Sequence, residues 1–452
     1  MTALDASLRE QARLVAAAEL DPSELLDACL KRIEERNPEL NAVVATFPED
    51  SRRMLLEAPD GPLRGVPVVV KDEWPLPWRA ERVGASDLLV ETRPGESGPY
   101  RALRDAGAVI AGVGNMHELG SGSTGAISVY GPARNPWDTE RCPGGSSSGP
   151  AAAVAGGLVA GAIGADGLGS IRYPAAYCGL TGLKPTFGRS TMEGHHIPQT
   201  ETIVSGPLCR DAGDCRLLAS VMFGEQLQAS EPGPLRIGIV PDPLWEDCQP
   251  EVAAACESAL AALRERTGGT VEQVELPDLQ TLVIAAVLVA QSEEAEVITP
   301  AKLNGLSPEL GVVNRGLLKL RAILPGSLTA RAFRARTLAR RSLAALFEQV
   351  DVLAWPSVAA PAPPLSDHTV ELPSGPSSAD SSNARQGTIA NLTGVPAISL
   401  PAGIVRGMPV GLQLLAPWGA DELLLNAAEA LEGATDREFV ELRPHQPAPS
   451  AP

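Results

Sequence analysis

One segment constrains the fold of this chain more than any other: PGGSSSGPAAAVAGGLVAGAIGADGLGSIRYPAAYCGL, which runs from Pro143 to Leu180. It contains four serines and many glycines and alanines, and its charged residues are Asp166 and Arg172. Small residues let backbone segments approach one another, or a bound group, very closely. The segment therefore indicates either unusually tight packing or a site at which one of its serines reacts.

Helical and strand patterns alternate along the rest of the chain. The β-branched run GVPVVV before Lys71 predicts a buried strand, and residues 97–115 predict a helix followed by another buried strand. Residues 251–350 are mostly helical in pattern, and residues 394–432 predict two strands, a glycine turn and a final helix. This alternation predicts an α/β fold with a sheet covered on both faces.

We predict a single domain over residues 1–452. The Pro/Ser-rich segment 359–386 is typical of a long surface loop, but core strands are predicted on both sides of it, so it does not mark a domain boundary. The predicted parts are N-terminal helices at about 5–60, a core at about 61–220, a helical region at about 250–350, C-terminal strands and a helix at about 350–435, and a frayed tail at 440–452.

Charge and composition exclude several classes of partner. The formal net charge of −18 disfavours a nucleic-acid groove or an anionic membrane surface. No apolar run reaches the roughly 18 to 20 uncharged residues that a membrane span needs. The N-terminal sequence MTALDASLREQARL has acidic residues where a signal peptide is basic, and it lacks a compact apolar core, which predicts a cytoplasmic protein.

Cysteine and histidine patterns disfavour a metal site. The seven cysteines have no C-x-x-C spacing, and the histidines are thinly spread. His195 and His196 are adjacent, so in regular structure their side chains would point in different directions. We therefore expect neither a disulfide framework nor a bound metal.

Several roles compete for the serines at 145–149. The sequence GSSSG matches the nucleophile-elbow pattern with Ser147 as nucleophile, but that motif needs a preceding strand, and RNPWDTERCPGG is turn-like. A glycine-rich loop that leads into a helix at Pro150 resembles a phosphate cradle, but the Lys-Ser/Thr ending of a P-loop is absent. Close packing of a helix on a sheet is the third explanation.

Lys71 is a candidate base for a serine. Lysine is rare in this chain, and Lys71 stands at the end of a predicted buried strand, where desolvation favours a neutral amine. Arginine cannot act as such a base because it stays protonated. An ion pair with a neighbour such as Asp72 explains a buried lysine equally well.

Five segments resemble the amidase signature family. They are GVPVVVKD, GPARNPWDTERCPGGSSSGPAAAVAGG, GADGLGSIRYPAAYCGLTGLKPTFGR, DVLAWPSVAAPAP and NLTGVPAISLPAGIVRGMPVGLQLLAP, and the resemblance extends from about residue 20 to residue 432. It implies an α/β/α sandwich around a large twisted mixed β-sheet. It also implies cofactor-free, metal-free chemistry by a Ser–cis-Ser–Lys triad.

Matched residue by residue, the resemblance assigns Lys71 as the base, Ser146 as the bridging serine and Ser170 as the nucleophile. It implies a cis peptide bond between Gly145 and Ser146. The further residues that we expect at the site are the oxyanion-hole amides of Gly167, Leu168 and Gly169, the supporting residues Ser147 and Arg172, and Gly120 and Ser121 as substrate-lining residues.

Three segments depart from the family pattern. DGLGS has Leu168 where the family usually has glycine, which would cost about 1–2 kcal/mol if that position needs a positive φ, or would narrow the acyl pocket. The residues that usually follow the lysine are absent from KDEWPLPWRAERVGAS. The residues that usually precede the G-P pair are absent from GHHIPQTETIVSGPLCRD. These departures concern substrate preference more than the triad.

The leading hypothesis is an amidase that converts a carboxamide into a carboxylate and ammonia or an amine. Its expected partner is a small-molecule amide, with no nucleic acid, no membrane and a possible homodimer. The alternatives are the glutaminase (A) subunit of a tRNA-dependent amidotransferase and a non-catalytic binding or scaffold protein. We expect the pocket walls to come from 120–130, 270–340 and 359–390, with a preference for small or aliphatic amides.

Overall fold

The computed structural model of the chain describes residues 3–85, 93–195, 201–276, 278–294, 316, 319–320 and 323–441. Its helices are, in chain order, α1 (Leu8–Ala16), α2 (Pro22–Leu40), α3 (Pro48–Glu57), α4 (Gly98–Asp105), α5 (Ser148–Ala155), α6 (Arg172–Cys178), α7 (Ala212–Phe223), α8 (Pro250–Thr267), α9 (Leu279–Glu294), α10 (Gly326–Leu346), α11 (Ala379–Thr393) and α12 (Asp421–Glu441). Short 3₁₀ helices lie at Ala3–Asp5 and Glu118–Gly120.

The strands carry most of the central architecture. They are, in chain order, β1 (Val43–Ala45), β2 (Pro67–Lys71), β3 (Val109–Gly114), β4 (Gly161–Asp166), β5 (Thr181–Lys184), β6 (Val204–Cys209), β7 (Arg236–Ile239), β8 (Thr270–Gln273), β9 (Val352–Pro356), β10 (Thr369–Leu372), β11 (Gly375–Ser378), β12 (Ala397–Val405) and β13 (Met408–Leu415).

A mixed sheet of eleven strands runs through the described part of the chain, in the order β1-β3-β2-β4-β6-β5-β12-β13-β9-β7-β8. Strand β2 pairs in parallel with β3 and β4, and β7 pairs in parallel with β8 and β9. The other neighbours in this sheet are antiparallel. The predicted α/β fold around a large mixed sheet is confirmed.

Strand β2 shows that the sheet is covered on both faces. All five of its residues are buried. Successive side chains of a strand point to opposite faces. Val68 and Val70 therefore pack into the larger hydrophobic core, whereas Val69 packs into a second core with α2 and α5. A continuous apolar run is the expected sequence for such a strand.

The structure corrects the prediction of a long surface loop at 359–386. This segment contains the β10–β11 hairpin and the first half of α11. Val370 and Leu372 are buried in a small apolar cluster with Cys248, and the Ser378 hydroxyl caps α11 by accepting from the Ser381 amide. Buried and exposed residues alternate along β10, as expected for a strand with one covered face. The high proline and serine content of the segment hid this alternation in the sequence.

Among the helices of the described residues, none is both long enough and apolar enough to cross a membrane. The predicted frayed tail lies almost entirely outside the described residues, since the description ends at 441.

Candidate active site

Two parallel strands end side by side at the site. In β2 and β4, Val69 lies opposite Ala162 and Val70 opposite Ile163. Strand β2 ends at Lys71, and the chain that leaves β4 leads directly to Ser170. The carboxyl ends of parallel strands form one edge of a sheet, which is where α/β proteins usually place their ligands. The topology therefore brings Lys71 close to the Ser170 loop.

Lys71 and Ser146 are in direct contact. The Lys71 side-chain nitrogen Nζ donates to Ser146 Oγ over 2.8 Å, and the two residues are 75 positions apart in the chain. Both side chains are buried, with 1% of each residue exposed. The peptide bond between Gly145 and Ser146 is cis, which is the linkage that the resemblance implies.

Ser170 lies between β4 and α6 and faces the same cavity as Lys71 and Ser146. Its backbone carbonyl accepts a hydrogen bond of 3.2 Å from the Ser147 amide. Among the hydrogen bonds of the described residues, none joins Ser146 Oγ to Ser170 Oγ. The structure thus brings the three predicted residues to one cavity and forms the first of the two contacts that a relay needs.

A buried ion pair holds the Ser170 loop. Arg172 contacts Asp166 at 3.0 Å, with both side chains essentially inaccessible to solvent. The Asp166 carboxylate also accepts from the Gly169 amide at 2.6 Å and the Ile171 amide at 3.2 Å. Burial alone would raise the pKa of Asp166, but the Arg172 charge and hydrogen bonds lower it to about 2. Arg172 therefore supports the loop from behind the cavity.

These contacts decide which amides can serve an oxyanion. Because the Gly169 amide hydrogen already binds Asp166, the structure does not support Gly169 as an oxyanion donor. Gly169 instead provides the turn, with φ of 123°, and a Cβ there would lie 2.0 Å from the Tyr173 ring. Leu168 is not among the described residues with positive φ, so the strain considered for this position does not arise. Its carbonyl accepts from the Tyr173 hydroxyl.

The two serines after Ser146 have backbone partners. The Ser147 hydroxyl donates to the Ala165 carbonyl at 3.1 Å and accepts from the Ala165 amide at 3.3 Å. Ser148 is the first residue of α5 and makes no capping hydrogen bond, while its hydroxyl reaches the Asn115 carbonyl at 3.4 Å. Ser147 therefore ties the serine loop to β4, which agrees with a supporting role and not with that of an elbow nucleophile.

Glu73 is a residue at this site that the sequence analysis missed. Its carboxylate lies 2.5 Å from Lys71 Nζ and 3.0 Å from Nε2 of His195. Burial would raise the pKa of Glu73, but the charges of Lys71 and His195 and their hydrogen bonds lower it to about 2. Lys71 thus has an ion-pair partner, but it is Glu73 and not Asp72, which instead contacts Arg79 at 2.6 Å.

A cavity of about 490 Å³ opens between these groups, a size that suits a small organic ligand. Its lining includes the predicted Gly120 and Ser121. The other described lining residues are Lys71, Glu73, Leu119, Gly122, Ser123, Ser146, Gly167, Leu168, Ser170, Tyr173, His195, Ile203, Val283, Val287, Ala290, Gln291, Ser378, Asp380, Ser381 and Ala384. The three regions expected to form the walls all contribute to this lining.

Within the described ranges, no group of three or more His, Cys, Asp or Glu side chains is placed to hold a metal ion. His196, the neighbour of His195, lies outside the described residues. The seven cysteines are free and buried.

Comparison with known proteins identifies relatives over nearly the whole chain. A glutamyl-tRNA(Gln) amidotransferase subunit of Thermus thermophilus is 36% identical over 94% of this chain and 96% of its own length. A protein of the same name from Dechloromonas aromatica is 34% identical, over 96% and 98%. A solved amidase structure is 32% identical and superposes with a TM-score of 0.88, covering 95% of this chain and 99% of that one.

The names of these relatives correct one prediction. Each of the two bacterial proteins is one subunit of an amidotransferase whose name includes a tRNA. The expectation of a small-molecule amide as the partner, with no nucleic acid and a possible homodimer, was therefore wrong. The net charge of −18 averages over the whole surface, so it does not report local contacts or those that a partner protein makes.

The family itself follows from the extent of the match. A model of the Amidase family covers residues 24–425, which include β2, the serine loop and the C-terminal strands. The solved amidase structure agrees with this chain over almost its full length. This chain belongs to the amidase family, as the five signature-like segments implied.

Proposed function

We propose that this chain hydrolyses carboxamides through an acyl-serine intermediate, with Ser170 as nucleophile, Ser146 as proton bridge and Lys71 as base. The observation that carries the proposal is the buried hydrogen bond of 2.8 Å between Lys71 Nζ and Ser146 Oγ, beside the cavity that Ser170 lines. A lysine amine that contacts a serine hydroxyl out of water is suited to accept its proton.

The proposed reaction begins with Lys71 as a neutral amine. Lys71 takes the proton of Ser146, Ser146 takes the proton of Ser170, and Ser170 Oγ bonds to the amide carbonyl carbon. The proton then returns through Ser146 to the departing nitrogen, which leaves as ammonia or an amine. Water attacks the acyl-serine ester, and the released carboxylic acid ionises.

One contact of this relay has to form during the reaction. Among the described residues no hydrogen bond joins the Ser146 hydroxyl to the Ser170 hydroxyl, and catalytic hydrogen bonds often tighten only when substrate binds. The backbone amides of Gly167 and Leu168 remain the proposed donors for the oxyanion, since the Gly169 amide is committed to Asp166.

The cavity wall supports an apolar acyl group. Its lining includes the apolar side chains of Leu168 and Ile203 and three apolar residues of α9, namely Val283, Val287 and Ala290. Burial of such side chains against a substrate contributes about 25 cal/mol per Å² of apolar surface removed from water. We therefore propose aliphatic amides as substrates. The cytoplasmic location expected from the sequence is a separate prediction.

A second candidate function is supported by the two amidotransferase relatives: release of ammonia from glutamine inside a larger complex. Glutamine carries an α-carboxylate that requires a cationic partner. Among the described lining residues, the basic side chains are Lys71 and His195, and both already contact Glu73. This pairing favours an apolar amide over glutamine.

Labelling with a fluorophosphonate tests the proposal. We expect the probe to form a bond between phosphorus and Ser170 Oγ with release of fluoride, and Ser170→Ala to abolish both labelling and amide hydrolysis. Ser258→Ala on α8, away from the cavity, is the control and should label like the wild type. Labelling of the Ser170→Ala protein would refute the assignment, and absence of any labelling in the wild type would favour the non-catalytic alternative.

A panel of amides separates the two candidate substrates. Faster ammonia release from aliphatic amides than from glutamine supports the first candidate. Hydrolysis restricted to glutamine, or dependent on a co-purifying protein, supports the second.

A further inference from the structure

Glu73 and His195 form a buried pair against the amine that is proposed to act as base. Oε2 of Glu73 lies 2.5 Å from Lys71 Nζ, and Oε1 lies 3.0 Å from Nε2 of His195. The Glu73 and His195 side chains are only 3% and 6% exposed. Trp74 packs on this pair, with its ring centroid 5.4 Å from that of His195. The carboxylate is therefore shared between two basic groups in a site largely closed to water.

This arrangement acts against the chemistry that Lys71 has to perform. A base must be uncharged to accept a proton, and a carboxylate in contact with an ammonium group stabilises the charged form. Lys71 therefore lies between Ser146, whose proton it is to receive, and the Glu73 carboxylate, which attracts a positive charge on the amine. The position and charge of Glu73 must then affect the pH at which the relay operates.

We infer that Glu73 is a positioning residue that fixes the Lys71 amine and sets the pH range in which it acts as base, and that His195 adjusts this range by sharing the Glu73 carboxylate. The inference rests on the proposed function, because it concerns the base of that reaction. It adds two residues, from two of the segments that depart from the family pattern, to the three of the relay.

The other carboxylates near Lys71 on β4 and in the loop after β2 contact arginines. Asp72 contacts Arg79, and Asp166, on the neighbouring strand, contacts Arg172.

Two more titratable groups lie near this site: His117, in the loop after β3, interacts electrostatically with Lys71, and Asp380, on α11, lines the cavity. Burial lowers the pKa of His117 to about 4, so this side chain is neutral at working pH. Asp380 accepts hydrogen bonds of 2.7 Å from both the amide and the hydroxyl of Ser123. Glu73 is thus the carboxylate that contacts the amine directly.

The test is the pH dependence of Ser170 labelling by the fluorophosphonate probe, which requires no knowledge of the natural substrate. Glu73→Gln keeps the size of the side chain but removes its charge, so the neutral amine should form at lower pH. We expect the acid limb of the labelling rate to move down by about 1–3 pH units, the effect of one close opposite charge. Glu193→Gln removes an equal charge from an exposed position on the same segment as His195 and should leave the limb in place.

A second variant tests the pair from the other side and decides the question if Glu73→Gln does not fold. His195→Ala leaves Glu73 with Lys71 as its remaining basic partner, so the ammonium form should persist to higher pH. The acid limb should then move up, opposite to the shift in Glu73→Gln.

Opposite shifts in the two variants support the inference, and a purely structural role would not produce them. An acid limb within about 0.3 pH unit of the wild type in either folded variant overturns it while leaving the proposed function intact. If Ser170→Ala is still labelled, the proposed function itself fails and the inference fails with it. The labelling site and the pH profile thus distinguish the two failures.

Discussion

Replacement of Arg172 by methionine tests how strongly the buried network behind Ser170 stabilises the protein. Arg172 is inaccessible to solvent and makes five hydrogen bonds. Two are to Asp166 at 3.0 Å each, and the others reach Gly387, Gln413 and Asn391 at 2.9, 2.6 and 2.6 Å. Methionine fills similar space but leaves the Asp166 carboxylate buried without its counter-charge.

The expected loss is about 3–5 kcal/mol in the free energy of unfolding, the usual result of removing one member of a buried ion pair. Denaturant unfolding measures this change as a lower midpoint at an unchanged slope. For a chain of this length, a loss near 4 kcal/mol corresponds to a fall of about 4 °C in Tm. Ser170 labelling should decline as well, because the Gly169 and Ile171 amides depend on the position of Asp166.

The double variant Asp166→Asn with Arg172→Met provides the control. It removes the unpaired Asp166 charge, so it should lose less stability than Arg172→Met alone. Together with the single variant Asp166→Asn, the two measurements complete a cycle that gives the coupling between the two residues. A loss below about 1 kcal/mol in Arg172→Met would refute this reasoning. A double variant that is clearly less stable than Arg172→Met would refute it as well.

Two further predictions follow from the same site. Asp166 and Glu73 have pKa values lowered to about 2, so their contribution of about 2–3 kcal/mol each is fully present above about pH 5 and is lost as the pH falls towards 2; unfolding free energies that stay flat from about pH 5 to 2.5 would contradict this. Gly169→Ala adds a Cβ at a φ of 123° and 2.0 Å from the Tyr173 ring, so it should cost more than about 3 kcal/mol and reduce Ser170 labelling. Gly188→Ala, at a φ of 83° with open space around it, isolates the backbone cost and should lose only about 1 kcal/mol.

Local patterns explain which parts of the fold could be predicted from the sequence. The run that forms β2 is apolar throughout because both faces of that strand are covered, so a buried strand ending at Lys71 could be recognised directly. The β10–β11 hairpin was missed because only Val370 and Leu372 face its small apolar cluster, while the residues around them are typical of loops. A hairpin that short carries little periodic signal.

The site divides along a similar line. The contact of Lys71 with Ser146 could be expected only through resemblance, because no local pattern links residues 75 positions apart. The contact of Glu73 with His195 spans 122 positions and joins two segments that depart from the family pattern. Neither a local pattern nor the family resemblance could therefore predict it. One clue was available, since a buried lysine at a strand end calls for a nearby carboxylate, and Glu73 is two residues away.

Tight packing and a functional site were the two explanations considered for the small-residue segment from Pro143 to Leu180, and the structure places both in the same loop. A Cβ at Gly149 would lie 2.1 Å from the Asn115 amide nitrogen, and one at Gly145 would lie 2.7 Å from the Gly122 carbonyl oxygen. A Cβ at Gly164 would lie 2.8 Å from Ser147 Oγ, the hydroxyl that ties the serine loop to β4. Gly164 thus permits the close approach that holds the serine loop against β4, the strand that leads to Ser170. Gly145 and Gly149 let the same stretch of chain approach the backbone of residues 115–125. Larger residues there would separate the serine loop from these neighbours, so the tight packing also keeps Ser146 at the cavity that Lys71 and Ser170 line.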